Sequence, residues 1–561
     1  MSTRVMSTLA WTAALLCLLP IVAVILAALS GSGTGWEALA STVLPRYTAT
    51  TVQLVLLVAA GTFVVGTSTA WLVTTCRFPG ARVFEVLLAL PLAFPAYVLA
   101  YAYTDLLDHP GAVQTLLRDL TGWGPRDYWF PEIRSTGGAA LMLILVLYPY
   151  VYLLARAAFL TQSFGGYLAA RVLGKGPWAA FWRVSLPMAR PAIAGGVLLA
   201  VMETIADFGT VAHFGVQTFA TGIYQAWFSL GDRAAAAQLA ACLLTVALVL
   251  ATLERVQRGA AKRYPGRATT PMPPQVLHGW ARWGACLWCA MPVTFGFVVP
   301  VIVLGNMAWD ADQSLLTERY LGFMRNSLTL AGIAALVTVG AAMMLGSNVR
   351  LRRTRPNRAL TLIAGIGYAV PGGVIAVGLL VPFAGLDNLV DGWMRETFGV
   401  STGLLLTGSI WVLVLAYMVR FVAAALSAFD TGITAINPHL DQAARTMGQT
   451  PAGLLRRVHL PLMKTSLLTG LLIVFVDVMK ELPATLIMRP FNFDTLAVQA
   501  YRLASDERLG QAAVPSLVIV AFGLLPVILL CHTLARGHSV HPRAAEPLGH
   551  PMPNNVRESG T

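Results

Sequence analysis

The sequence predicts an all-α integral membrane protein of about twelve transmembrane helices, arranged as two parallel six-helix repeats. Three observations carry this reading. The 561-residue chain is 57% hydrophobic and only 12% charged, with a mean hydropathy of +0.68. A soluble domain carries about a quarter charged residues, so this chain has too little polar surface to face water. Its apolar residues are gathered into runs of membrane-spanning length, and one polar segment, residues 168–187, recurs as residues 442–461.

A spanning helix needs about 20 mainly apolar residues, because the hydrocarbon core is about 30 Å thick and a helix rises about 1.5 Å per residue. Runs that meet this lie at 10–29, 52–73, 83–102, 138–154, 192–211, 235–253, 283–307, 328–345, 360–380, 404–425, 467–487 and 514–530. The first is too long for a signal-peptide core and reads as an uncleaved span. With the N-terminus in the cytoplasm, roughly two thirds of the Lys and Arg fall on the tails and even-numbered connections, as basic loops resist translocation. Arg350, Arg352, Arg353, Arg355 and Arg358 form one such inside cluster. Both termini are therefore expected in the cytoplasm, and the net charge of +13 needs no nucleic-acid partner to explain it. Cys286 and Cys289 make a CxxC inside an apolar span and read as small packing residues.

The repeat is the most informative feature. Segments 168–187 and 442–461 are identical at nine of twenty columns without a gap, Gly174 standing against Gly448. The same offset aligns Gly66 with Gly340, Gly196 with Gly470, Thr221 with Thr495 and Asp232 with Asp506. The first half is placed at 1–254 and the second at 281–536. A cytoplasmic linker rich in basic residues, Pro and Gly spans 255–280, and a solvated, disordered tail is expected at 537–561.

Each repeated segment lies between the fourth and fifth spans of its half, on the positive side. The expected product is a short helix, a turn at Gly174 or Gly448 that tolerates positive φ, a second helical stretch and a Leu-Pro stop. Pro187 and Pro461 then sit in the first turn of the next span. Ala169, Ala170, Ala443 and Ala444 are expected to face outward, where small side chains let another protein approach closely. Arg183 and Arg457 are placed to pair with that partner's acids. One copy is explained by an ordinary amphipathic loop helix; two copies in register favour a docking surface.

The pattern Ala-Ala, three residues, Gly, nine residues, Val-x-Leu-Pro resembles the EAA loop of binding-protein-dependent ABC importers. That resemblance implies an ABC importer permease fold in the bacterial inner membrane. It also implies that the loops, Leu186-Pro187 and Leu460-Pro461 included, form coupling helices docked on two copies of an ABC ATPase, with a periplasmic substrate-binding protein outside. The family's acidic first residue is replaced by Leu168 and Gln442, which bears on an ionic contact there and not on docking. No segment matches G-x-x-x-x-G-K-[ST]. The chain is thus read as a transport subunit and not an enzyme, binding no cofactor itself, with ATP and Mg on the partner.

The fifth span contains Glu203 and Asp207, and the eleventh contains Asp477, Lys480 and Glu481. An intramembrane carboxylate costs about 2.5–3.5 kcal/mol on insertion scales and marks a functional site by default. Each acid pair is four apart, hence expected on one helical face, and the two pairs share the repeat offset. They are expected to line a translocation path or its outer gate; a purely structural pairing with Lys480 and nearby arginines is the alternative. Carboxylate oxygens suit hard cations, which admits ferric iron, polyamines or other cations, and no metal site is assigned. The stretches from Glu203 and from Asp477 resemble the fused permeases of ferric-iron importers, while fused thiamine permeases share the architecture. An ion-coupled secondary transporter also uses repeats and buried acids, but it has no need of the doubled loop.

Overall fold

Prolines and isolated charges decide where the apolar runs stop being helices. The computed structural model describes residues 3–30, 37, 40–162, 170, 172–261, 275–311, 317–352 and 354–538. Among the described residues, eleven helices and one bent pair have spanning length and composition. In chain order they are α1 (Arg4–Ser30), α2 (Leu44–Thr75), α3 (the pair Ala81–Ala93 and Ala96–Thr121), α4 (Thr136–Leu160), α5 (Trp178–Ala206) and α6 (Arg233–Gln257). The second half supplies α7 (Trp280–Asp310), α8 (Glu318–Leu351), α9 (Gly372–Phe398), α10 (Ile410–Thr434), α11 (Pro451–Met479) and α12 (Leu509–Leu529).

Four expected spans need correction. The run 83–102 is no single helix: its two parts turn by 91° at the break before Pro95. The run 360–380 straddles the same device, a 3-10 turn at Gly367–Ala369 followed by Pro371 and the start of α9. In both places proline lacks the N–H a helix needs and disfavours helical backbone in the residue before it. The runs 192–211 and 467–487 also break, at Asp207 and at Lys480, where α5 and α11 end. At the other helix ends the changes are small. α10 begins only at Ile410, capped by Ser409. The last helix of the first half continues to Ala261, and that of the second half to His538. Linker residues 262–274 and tail residues 539–561 lie outside the described residues.

The duplication holds in three dimensions. In the first half α2, α4 and α5 pack together, and in the second α8, α10 and α11 repeat the arrangement. The first helix of each half then crosses over. α1 packs on α8 and α9 of the second half, and Gly378 of α9 sits so close to the Pro20 carbonyl that a β-carbon would collide with it. α7 packs reciprocally on the first half: the Tyr103 hydroxyl donates to the Phe295 carbonyl at 2.6 Å and the Trp288 indole to Ser68 Oγ at 2.8 Å. A short parallel pairing of Cys76–Arg77 with Gln275–Val276 fixes the chain where it enters this crossover. The halves contiguous in sequence are therefore interleaved in space. Cys76 and Cys289 are buried in the apolar core around Tyr148, as packing residues would be.

Candidate functional site

The repeated segments form matching elbows. In the second, Asn437 caps the helix Pro438–Thr446, accepting from the His439 N–H at 3.0 Å. The chain then turns at Gly448, and the Gln449 N–H donates to the Ala444 carbonyl at 3.0 Å. In the first, the Lys175 N–H donates to the Ala170 carbonyl at the same 3.0 Å. Gly174 and Gly448 both have φ of +76°, with open space where a side chain would begin. Backbone angle, rather than crowding, therefore demands glycine at both turns.

Two expectations for the elbows are corrected. The alanine pair does not face outward as a unit: Ala170 and Ala444 are buried, while Ala443 is exposed. Successive helical residues point about 100° apart, so one of two neighbours turns inward. Ala169 lies outside the described residues. Nor does Leu-Pro stop the second helical stretch. Helix runs unbroken through Leu186-Pro187 and Leu460-Pro461, because a π-turn precedes each, at Phe181–Ser185 and Leu455–His459. The extra residue in a π-turn loosens the ladder just where proline's ring and missing N–H would strain it. Arg183 and Arg457 are exposed, as expected of contact residues.

The elbows are anchored by different chemistry. Asp441 accepts from Arg350 Nε at 2.8 Å and pairs with His459 Nε2 at 2.9 Å, tying the second elbow to α8 and α11. In the first, aromatic rings do this work: Trp71, Phe159 and Trp178 all pack on Phe181. Burial pushes the Asp441 carboxyl up, but the bonds from His459 and Arg350 outweigh it and hold it below its ordinary value. A depressed carboxyl contributes stability above its unfolded value of about 3.9 and loses it only as pH falls through the lower folded value. Acidification to about pH 4 should therefore leave the elbow helix protected from hydrogen exchange. Asp441→Asn should deprotect the helix Pro438–Thr446 already at neutral pH, a loss that mass-spectrometric exchange of that peptide reads directly.

The five charged residues singled out in the spans converge on one cavity of about 130 Å³ between the halves. They do not share one role. Asp207 leaves the helical path (φ −68°, ψ 131°), so it and Glu203 are not stacked on one helix face as expected. Its carboxylate accepts from the N–H groups of Thr210 and Val211 at 3.1 and 3.2 Å and from the Thr210 hydroxyl at 3.0 Å, capping the helix Gly209–His213. Glu481 does the same for Pro483–Met488, accepting from Ala484 N–H at 2.9 Å, Thr485 N–H at 3.1 Å and the Thr485 hydroxyl at 2.8 Å. A carboxylate at a helix start satisfies otherwise unpaired amides. Gly209 and Pro483 stand at the first position of these two helices. The Lys480 carbonyl freed at the α11 break accepts from the Tyr97 hydroxyl at 3.4 Å.

Glu203 and Asp477, the other two acids, face the cavity from α5 and α11. Glu203 accepts from the Tyr368 hydroxyl at 3.2 Å, and Asp477 pairs with Lys480 at 2.9 Å. Arg420, beside Glu481 at 3.5 Å, and Tyr150 complete the polar lining. The sequence reading missed Arg420, Tyr150 and Tyr368; a lone arginine inside the apolar run 404–425 was the available signal. The acids are duplicated but the cations are not: at the repeat offset Lys480 stands against Ala206 and Arg420 against Val146. Among the described residues, no group of three His, Cys, Asp or Glu side chains is arranged to hold a metal ion.

A twice-written helical bundle, with paired elbows and a charged cavity between interleaved halves, defines a duplicated membrane transport subunit. The chain belongs to the family of inner membrane components of binding-protein-dependent transport systems, which matches it twice, at residues 63–264 and 338–537. It is therefore a multi-pass inner-membrane permease of the ABC importer class. The Fe(3+)-transport system permease protein FbpB 2 of Haemophilus influenzae is 26% identical over 495 residues, 86% of this chain and 88% of that protein. A probable ABC transporter permease protein, y4fN of Sinorhizobium fredii, is 25% identical over 82% of this chain and 83% of its own length. The ferric transport system permease protein FbpB of Actinobacillus pleuropneumoniae is 22% identical over 80% and 64%.

Proposed function

We propose that this chain is the fused permease of an ATP-driven ferric-iron importer. The observation that carries the importer mechanism is the duplicated elbow, with the same turn at Gly174 and Gly448 and exposed arginines beside it. On this reading each elbow, on the cytoplasmic face with both termini, docks one of two ATPase subunits that hold ATP and Mg, the nucleotide motif being absent here. A periplasmic binding protein delivers substrate to the opposite face. ATP-driven closure of the ATPase pair moves the elbows, the two interleaved halves rock, and the cavity opens first outward and then inward. The elbow contact surface comprises Ala443, Arg183 and Arg457, with Gly174 and Gly448 setting its shape. Ferric iron as cargo is supported by the names of the two ferric relatives and by a cavity rich in oxygen donors, which hard cations prefer.

The test is uptake into proteoliposomes holding the permease with its ATPase and binding protein. ATP-dependent accumulation of labelled ferric iron is expected. Accumulation of labelled thiamine in its place, or ferric uptake that proceeds without ATP, overturns the proposal.

A further inference from the structure

Glu203 and Asp477 occupy equivalent positions in the two halves, yet only Asp477 has a counter-ion from its own half. Had these acids served to clamp helices, each copy would need its cation. Among the described residues Glu203 accepts one hydrogen bond and makes no ion pair. That bond comes from Tyr368, which belongs to the opposite half, and Tyr150 lines the same cavity from the first half. Asp207 and Glu481 are committed to backbone amides, and Arg420 is held between Glu481 and the face of Phe421. Tyr97 also lines the cavity, but its hydroxyl donates to the Lys480 carbonyl; beyond it, what remains is two carboxylates and two phenols, with one ammonium among them.

We infer that Glu203, Asp477, Tyr150 and Tyr368 form an all-oxygen way-station for a hard trivalent cation, and that Lys480 is the tethered ion occupying it when cargo is absent. The inference rests on the ferric reading above and adds the site and its counter-ion. Carboxylate and phenol oxygens are hard donors and favour a small, highly charged cation. Lys480 is suited to yield, because it stands at the break that ends α11 and not within a continuous helix. Its side chain and that of Asp477 each keep about a quarter of their surface uncovered and line the cavity, so the pair is not sealed among packed side chains. An uncompensated carboxylate in the membrane is costly; Lys480 lowers that cost at rest, and the cargo replaces it in transit. The absence of a three-acid or histidine-rich group among the described residues fits a transit site, since a conducting site must bind weakly enough to release.

Terbium(III), a hard trivalent ion whose emission tyrosine sensitises, serves as the probe on the full-length detergent-solubilised permease. Saturable sensitised emission is expected for the wild type. Lys480→Gln should bind about tenfold tighter, because a competing positive charge is removed. Glu203→Gln should bind about tenfold weaker, because ligand charge sets affinity for such ions. Tyr368→Phe, which keeps the ring and removes the oxygen, should lose part of both affinity and emission. All variants are first shown to elute as single species that unfold cooperatively above the assay temperature. Equal affinity in Glu203→Gln and wild type, or no tightening in Lys480→Gln, overturns the way-station. Ferric uptake by the assembled wild-type importer is read separately. Uptake without a terbium site sinks this inference alone, whereas no ferric uptake sinks the transport reading and this inference with it.

Discussion

Gly448→Pro and Gly174→Pro are each expected to abolish ATP-coupled uptake while leaving membrane insertion and basal ATP hydrolysis intact. Both glycines hold φ at +76°, whereas proline locks φ near about −65°. The turn must then reopen, and the exposed residues beside it, Met447 in one elbow and Leu173 in the other, swing away from any docking partner. No neighbour lies within reach of a new side chain, so the damage falls on the backbone: on its direction and, at Gly448, on the N–H that donates to the Arg445 carbonyl at 3.0 Å. Alanine separates the two effects. It adds a β-carbon into open space at a left-handed angle that costs about 1–2 kcal/mol for an L-residue, so Gly448→Ala should reduce uptake only partly. The anchors predict a further graded outcome. The second elbow is fixed by the Asp441, Arg350 and His459 cluster, which a displaced turn cannot follow, so Gly448→Pro should be the more severe. Uptake at wild-type level in both proline variants would refute the coupling role.

Much of this architecture was legible because duplication repeats its constraints. Two glycines at the repeat offset announced two identical turns before any angle was known, and the duplicated acids announced a shared centre. What stayed hidden depends on direction. A fully apolar run carries no polar face to show which way it points, so nothing at Pro20 or Gly378 told that α1 docks on the opposite half. The breaks inside the runs 192–211 and 467–487 were hidden for a related reason. Proline is poor inside a helix but good at its first turn, and only the caps from Asp207 and Glu481 show that a new helix starts beyond each break. Tyr150 and Tyr368 look like ordinary interior aromatics until the cavity brings them together from separate halves.

Three of the four acids, Glu481, Asp207 and Glu203, should separate cleanly when stability and transport are measured on the same variants. Glu481→Ala strips the Ala484 and Thr485 amides of their acceptor, while the Thr485 hydroxyl keeps the Glu481 carbonyl, and it leaves the largely buried Arg420 without its partner. Breaking one member of a buried pair costs about 3–5 kcal/mol, so this variant should unfold at a markedly lower temperature in detergent. Asp207→Ala removes the equivalent cap but strands no cation, and the loss of a helix cap is about 0.5–2 kcal/mol. Its unfolding temperature should therefore fall less than that of Glu481→Ala, although the two sites are repeats of each other. Glu203→Gln keeps an acceptor for the Tyr368 hydroxyl and relieves the cost of a membrane carboxylate, so it should unfold no lower than wild type. Ferric uptake should nonetheless drop by about an order of magnitude, since the charge that attracts a cation has gone. Thermal unfolding and uptake together decide between roles. If Glu203→Gln loses as much stability as Glu481→Ala, the cavity acid is a brace; if its uptake is unchanged, the cation path runs elsewhere.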